Sequence, residues 1–348
     1  MKSSFDSWSV NEVMKLYGVR SKTALLKAEK AGRIPEARRN GTVRSWNMED
    51  LPKIGHNYGF LQKPDNLKFI TICVFTVKGG VLKTTTTYSL ARILALNGFK
   101  VLIAGNDPQT SITEVALNPL VENKSLDELP EYNDLGQVIF NDMPLSEAVL
   151  ETNLPNLDIL PETSDLSDVG DSMGTLAALA ANTGKASKAK PRHIYFKEVL
   201  NPIIEEAGYD VVLYDNGPTL TVLNENALYA SDYWITPNSC DQGAYQVFEK
   251  NLKKVLTWAD DNKKSWKDIF IVPTLTDNTK LAKQIYAAYL GKYPELVTDA
   301  SLKKTVKVQE ALASGVSPIE AFAGSDISKE FKDLAIEVWG KILEHQKS

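Results

Sequence analysis

The run Lys78-Gly79-Gly80-Val81-Leu82-Lys83-Thr84-Thr85 constrains the fold of this chain more than any other feature. It sits between an apolar, strand-like segment, Phe69–Phe75, and a helical one, Thr86–Asn97. A strand, a glycine turn and a helix N-terminus in that order form one βα unit whose loop is a cradle for phosphate. Backbone N–H groups and the helix dipole face the anion, Lys83 reaches the outer phosphates, and the Thr84 hydroxyl is placed to ligate magnesium. The strict form of the pattern has glycine at 77 and 82, where this chain has Val77 and Leu82. A second lysine, Lys78, directly before the glycine pair offsets that departure.

Further apolar runs alternate with helical stripes: Val101–Ala104, Leu157–Leu160, Val211–Tyr214, Tyr233–Thr236 and Phe270–Val272. This alternation predicts an α/β fold, a doubly wound, mostly parallel sheet with helices on both faces. Ligands of such sheets bind beyond the carboxyl ends of the strands. Two acids fall there. Asp107, in Ala104-Gly105-Asn106-Asp107-Pro108-Gln109, follows one strand, and Asp215, in Val211-Val212-Leu213-Tyr214-Asp215-Asn216-Gly217-Pro218, ends another. Asp215 opposite Thr84 is suited to magnesium. Pro273 and Thr274, read as a late strand and turn, are placed to border an adenine. Each signal alone is modest, since strand-end Asp residues commonly cap helices. Their order and spacing favour a nucleotide site.

The front of the chain differs in charge. Residues 1–65 carry 12 Lys/Arg against 7 Asp/Glu, whereas the remainder carries 27 against 37. A basic module on an acidic body points to a polyanionic partner. Ser9-Val10-Asn11-Glu12 is a capping box ahead of a helical stripe, and Ser21 can cap a second helix running to Lys30. A hairpin follows, with Arg38 and Arg39, an Asn40-Gly41 turn, then Val43, Arg44 and Trp46. Asn47–Leu51 begins a third helix. This order resembles the MerR-type winged helix-turn-helix. The resemblance would direct Lys22, Thr23 and Lys27 to the major groove of DNA and Arg38, Arg39 and Arg44 to phosphates or the minor groove. The expected organisation is a DNA-binding domain over 1–54, a linker over 55–67 and a nucleotide-binding domain over 68–348. The stretch 174–192, rich in Ala, Gly, Ser and Lys, is the least ordered in composition. Two cysteines and three histidines form no metal or disulfide pattern, and no 18-residue apolar run is present, so a cytoplasmic protein is expected.

From Phe69 to the C-terminal helix the chain resembles the ParA family of deviant Walker-A ATPases, the partition branch of the ParA/MinD group. The shared features are the Lys-Gly-Gly-x-x-Lys-Thr-Thr loop, the Asp-Pro-Gln turn, the Asp-x-x-Pro strand end, and the late segment Val306–Pro318. The resemblance implies ATP and Mg2+ as cofactors and an ATP-sandwich homodimer in which Lys78 crosses to the partner's phosphates. It implies nucleotide contacts along 78–85, Asp107 orienting water and near the metal, and Thr84 and Asp215 on magnesium. It also implies non-specific DNA binding through lysines of the C-terminal half, with Lys280, Lys283, Lys303, Lys304 and Lys307 as candidates, and a ParB-like adaptor on the nucleoid. Leu82, Gly105-Asn106 and Asn216-Gly217 depart from the family pattern and lead us to expect slow turnover. Rival expectations are a nucleotide-regulated repressor and a positioner of protein cargo. A MinD-like membrane tail is disfavoured, because the last helix, Ile327–His345, mixes Glu330, Asp333 and Glu337 with its lysines.

Overall fold

A computed structural model describes residues 7–118, 132–182 and 191–347. The front module opens with β1 (Trp8–Ser9), α1 (Val10–Tyr17) and α2 (Lys22–Lys30). Both caps read from the sequence form. Ser9 and Glu12 close a capping box, the Ser21 hydroxyl accepts from the Ala24 N–H, and Gly18 ends α1 in the left-handed region at φ 71°. The hairpin is β2 (Arg38–Asn40) paired with β3 (Val43–Trp46) across Gly41, and β1 adds to its other edge. A 3-10 turn, Met48–Asp50, then runs directly into α3 (Leu51–Tyr58).

The body comprises β4 (Ile70–Val74), α4 (Lys83–Leu96), β5 (Val101–Asn106), α5 (Ser111–Leu117), α6 (Leu135–Phe140), α7 (Leu145–Ala148), β6 (Leu150–Glu151), β7 (Leu157–Leu160) and α8 (Leu166–Asn182). It continues through α9 (Asn201–Glu206), β8 (Val211–Asn216), α10 (Val222–Ala230), β9 (Tyr233–Ser239), α11 (Gln242–Asp261), β10 (Asp268–Thr276), α12 (Lys280–Lys292), β11 (Leu302–Lys303), α13 (Lys307–Ala313), α14 (Pro318–Ala321) and α15 (Asp326–Lys347). One sheet runs in the order β11-β10-β9-β4-β8-β5-β7-β6, parallel throughout except for the β6–β7 edge. Strand side chains divide between two cores as the two-residue period requires. Ile70, Ile72 and Val74 of β4 face the side covered by α4 and α15, while Cys73 and Phe75 face the side covered by α9 to α12. The chain winds outward in both directions from β4, so the sheet reverses its winding beside that strand's carboxyl end.

Several boundaries differ from the sequence reading. The helix after the glycine turn begins at Lys83 rather than Thr86. Residues 174–182 continue α8, because Ala and Leu there are strong helix formers; 183–190 lie outside the described residues. The stretch read as a linker begins inside α3, and the chain after it is fastened to the body. Leu61 N–H donates to Asn97 Oδ1 at 3.0 Å and Trp339 Nε1–H donates to the Gln62 carbonyl at 3.0 Å. The Tyr17 hydroxyl reaches the carbonyls of Leu51 (2.6 Å) and Leu96 (3.1 Å), joining the front module to the end of α4. Contact there is close enough that a Cβ on Gly55 would lie 1.7 Å from the Leu96 oxygen. The last helix packs Phe331, Leu334, Val338, Trp339 and Ile342 into the core. Among the described residues no helix is long and apolar enough to cross a membrane.

Candidate active site

The loop between β4 and α4 carries the signature residues at the reversal point of the sheet. Gly80 adopts φ 72°, and Cβ atoms added to Gly79 or Gly80 would meet nothing within 4 Å, so this backbone stands open to a ligand. Leu82, the N-cap of α4, adopts φ 67°. A leucine is thus held in the left-handed region where glycine costs nothing, with its half-buried side chain packed against the α4 core. Val81 and Thr85 are buried, and the Val81 carbonyl accepts from Thr274 Oγ1 at 3.2 Å. Pro273 and Thr274 therefore lie inside β10 rather than in a turn, and both are buried. What Thr274 visibly does is tie the phosphate loop to the sheet.

Lys83 is buried, and its ammonium donates to the Lys78 carbonyl at 2.8 Å, folded back over the loop. Burial holds its pKa below the ordinary lysine value, against the pull of Asp215 and Asp107. Asp215 ends β8 fully buried. Thr84 Oγ1 donates to one of its oxygens at 2.8 Å and Thr87 Oγ1 to the other at 2.6 Å. Burial pushes its pKa up to about 6; the two hydroxyls and Lys83 lower it and Asp107 raises it. A buried carboxylate of this kind, beside a threonine hydroxyl and open loop N–H groups, is a donor set of hard oxygens that fits magnesium. Asp107 follows β5 at the same edge, its Oδ1 accepting from the Gln109 N–H at 3.1 Å. Gly217 leaves it room, since a Cβ there would stand 3.1 Å from that oxygen.

Lys78 is one-third exposed, with its Nζ 3.7 Å from Asp241 Oδ1. Asp241 caps α11 through the Ala244 N–H at 2.8 Å. The signature lysine is therefore held loosely at the rim by a carboxylate of its own chain.

Two further residues join the site that sequence reasoning passed over. Thr87 lies one turn beyond Thr84 on the same face of α4, a spacing that could have been read directly. Glu162 follows β7 as Asp107 follows β5. It is buried; one oxygen accepts from the Asp107 N–H at 3.0 Å and the other from the Ile112 N–H at 3.2 Å. Burial raises its pKa well above the usual carboxylate range, and Asp215 and Asp107 add to the rise. Behind the site, Asn106 Nδ2 donates to Asn216 Oδ1 at 2.7 Å, and Asn216 in turn donates to the Val74 carbonyl at 3.1 Å. Asn106 and Asn216 thus bind the ends of β5, β8 and β4 to one another.

On the front module Lys22, Thr23, Lys27, Arg38 and Arg39 are exposed. Arg44 is engaged elsewhere. It forms an ion pair with the buried Glu29, whose other oxygen accepts from the Ala37 N–H at 3.0 Å, so its charge fastens the hairpin to α2. In the C-terminal half Lys280, Lys283, Lys304 and Lys307 are exposed, while Lys303 pairs with Glu330 at 2.9 Å.

An open glycine loop, an inward lysine and a threonine–aspartate pair at the reversal point of a parallel sheet define a P-loop nucleotide-binding fold. The AAA domain family matches residues 69–267, and the chain belongs to that family, in its ParA/MinD-type branch. It is 26% identical over 245 residues to the chromosome partitioning protein ParA of Caulobacter vibrioides, covering 70% of this chain and 84% of the relative. It is 25% identical over 268 residues to the sporulation initiation inhibitor protein Soj of Bacillus subtilis, covering 77% and 97%. Among solved structures, a Cyanothece McdA variant in complex with ATP superposes with a TM-score of 0.63 at 19% identity, covering 78% of this chain and 96% of that one. A cobyrinic acid a,c-diamide synthase from Mycobacterium smegmatis with an ATP analogue and magnesium gives 0.57 at 24% identity, covering 81% and 97%. The family match begins at residue 69, so the front module lies outside it.

Proposed function

We propose that this chain is a partition ATPase that binds Mg-ATP at the β4–α4 loop and dimerises over it. The observation that carries the reading is the convergence of Lys83, Thr84, Asp107 and Asp215 on one open glycine loop, with Lys78 at its rim. Lys83 exchanges the Lys78 carbonyl for phosphate oxygens, which fit an ammonium better than a neutral acceptor does. Thr84 and Asp215 hold magnesium, which supplies positive charge against the phosphates. Asp107 orients the attacking water. Lys78, released from Asp241, extends to the partner's triphosphate as a charge-neutralising finger. Turnover is slow, because Leu82 resists adjustment of the loop.

The remaining parts of the reading concern what is moved. The exposed Lys22, Lys27, Arg38 and Arg39 support recognition of DNA by a winged helix-turn-helix front module, and with it repression of the protein's own operon. Lys280 and Lys304 support non-specific DNA contact by the ATP-bound dimer, which a ParB-like adaptor would discharge on the nucleoid. The partition relatives favour nucleic acid as the cargo; a positioner of protein cargo would carry the same body.

Two substitutions test the site. Lys83→Ala should abolish binding of a fluorescent ATP analogue. Lys78→Ala should retain binding but lose hydrolysis. Undiminished binding by Lys83→Ala would place the nucleotide elsewhere.

A further inference from the structure

Gly105 and Glu162 occupy the same space. A Cβ on Gly105 would lie 2.2 Å from Glu162 Cγ and 2.9 Å from Cδ, so no side chain at 105 coexists with this glutamate. The backbone gives no other reason for glycine there, because Gly105 sits in the ordinary extended region of β5 and is absent from the positive-φ residues. The glycine makes the room that the Glu162 side chain fills, and a Cβ there would also stand 3.3 Å from the Glu162 backbone nitrogen.

Glu162 uses that space fully. It comes from the end of β7 and is only 2% exposed. Its two oxygens take the N–H groups of Asp107 and Ile112, which bracket the turn 107–112. Its own N–H donates to Thr113 Oγ1 at 2.8 Å. The turn it brackets is short and conformationally restricted: Thr110 adopts φ 57°, and its N–H donates to the Asp107 carbonyl at 3.0 Å. Glu162 fixes both ends of this turn at once, from the end of β7.

The geometry points to Glu162 as a positioning residue that sets the Asp107 turn for hydrolysis, with Gly105 as the vacancy that lets it in. This rests on the reading of Asp107 given above. Glu162 itself meets the backbone of the turn, so its removal displaces the Asp107 carboxylate without taking any group from the phosphates or the metal. Displacement of a reacting group by about 1 Å costs a rate on the order of 100-fold. Binding of the nucleotide, set by the loop and Lys83, is untouched.

The experiment is a cycle of the unsubstituted chain, Glu162→Ala, Glu162→Gln, Gly105→Ala and the Gly105→Ala/Glu162→Ala double variant. Each is assayed for steady-state Mg-ATP hydrolysis and for affinity towards a fluorescent ATP analogue. Glu162→Ala should lower kcat by about 10- to 100-fold with analogue affinity within about twofold. Glu162→Gln keeps one acceptor oxygen in the same volume and should fall between, which carries the test if the alanine variant does not fold. Gly105→Ala should lower kcat because it displaces Glu162, and adding it to Glu162→Ala should lower kcat no further. Unchanged kcat in both Glu162 variants, parallel losses in kcat and affinity, or multiplicative losses in the double variant would overturn the assignment. An unsubstituted protein that neither binds nor hydrolyses ATP would instead overturn the reading of the site itself, and the assignment with it.

Discussion

Asp215→Asn should make the nucleotide-free protein more stable while removing its response to Mg-ATP. Burial raises the Asp215 pKa from 3.8 to about 6, a shift of roughly two units. At about 1.4 kcal/mol per unit, the ionised carboxylate costs the empty fold about 3 kcal/mol. The folded state binds more protons than the unfolded one between those two values. The penalty is therefore absent below 3.8, grows as pH rises, and is complete above about 6. The amide avoids it without stranding a donor. Thr84 can still donate to the remaining oxygen, while the Thr87 hydroxyl can turn its proton to the Lys83 carbonyl at 3.1 Å and accept from the new amide. Thermal unfolding in EDTA at pH 8 should show the variant higher by roughly 5 °C, with the gap closing towards pH 4. Mg-ATP at about 1,000 times Kd should reverse the order, because it adds about 4.1 kcal/mol to the unsubstituted protein alone. A variant no more stable at pH 8, or a gap independent of pH, would refute this account of the buried carboxylate.

Leu82→Gly relieves a left-handed residue by about 1–2 kcal/mol but gives up a similar amount of side-chain packing, so urea denaturation should find it near neutral. Leu82→Ala keeps the strain and loses the packing, and should cost about 1–2 kcal/mol. On the front module, Arg38→Ala with Arg39→Ala should weaken operator binding in a mobility-shift assay and flatten its salt dependence, leaving the thermal midpoint unchanged. Arg44→Ala should instead destabilise the module, because it strands the buried Glu29.

The parallel sheet and the phosphate loop were legible because they rest on local signals. Strand period, the glycine pair and Lys83 need no knowledge of distant residues, and the acids after β5 and β8 follow a rule about strand ends. Glu162 obeys the same rule yet was passed over, since a Leu-Pro-Glu sequence resembles an ordinary turn until Gly105 is seen to make room for it. The position of Arg44 was misread for a related reason. Three arginines on one hairpin share a composition, and only the packing of α2 reveals that one is claimed by Glu29. Residues 55–67 look like a linker in composition, whereas the hydrogen bonds that Leu61 donates to Asn97 and Gln62 accepts from Trp339 depend on groups far along the chain. Thr274 reads as part of a turn bordering an adenine because the apolar run stops at Val272; β10 continues to Thr276 and buries it.

Light scattering on the purified chain in Mg-ATP, in Mg-ADP and without nucleotide decides whether two copies close over ATP. A dimer in Mg-ATP alone, with Lys78→Ala binding ATP but turning none over, is the expected result. A monomer whose nucleotide site is demonstrably filled with ATP would contradict it.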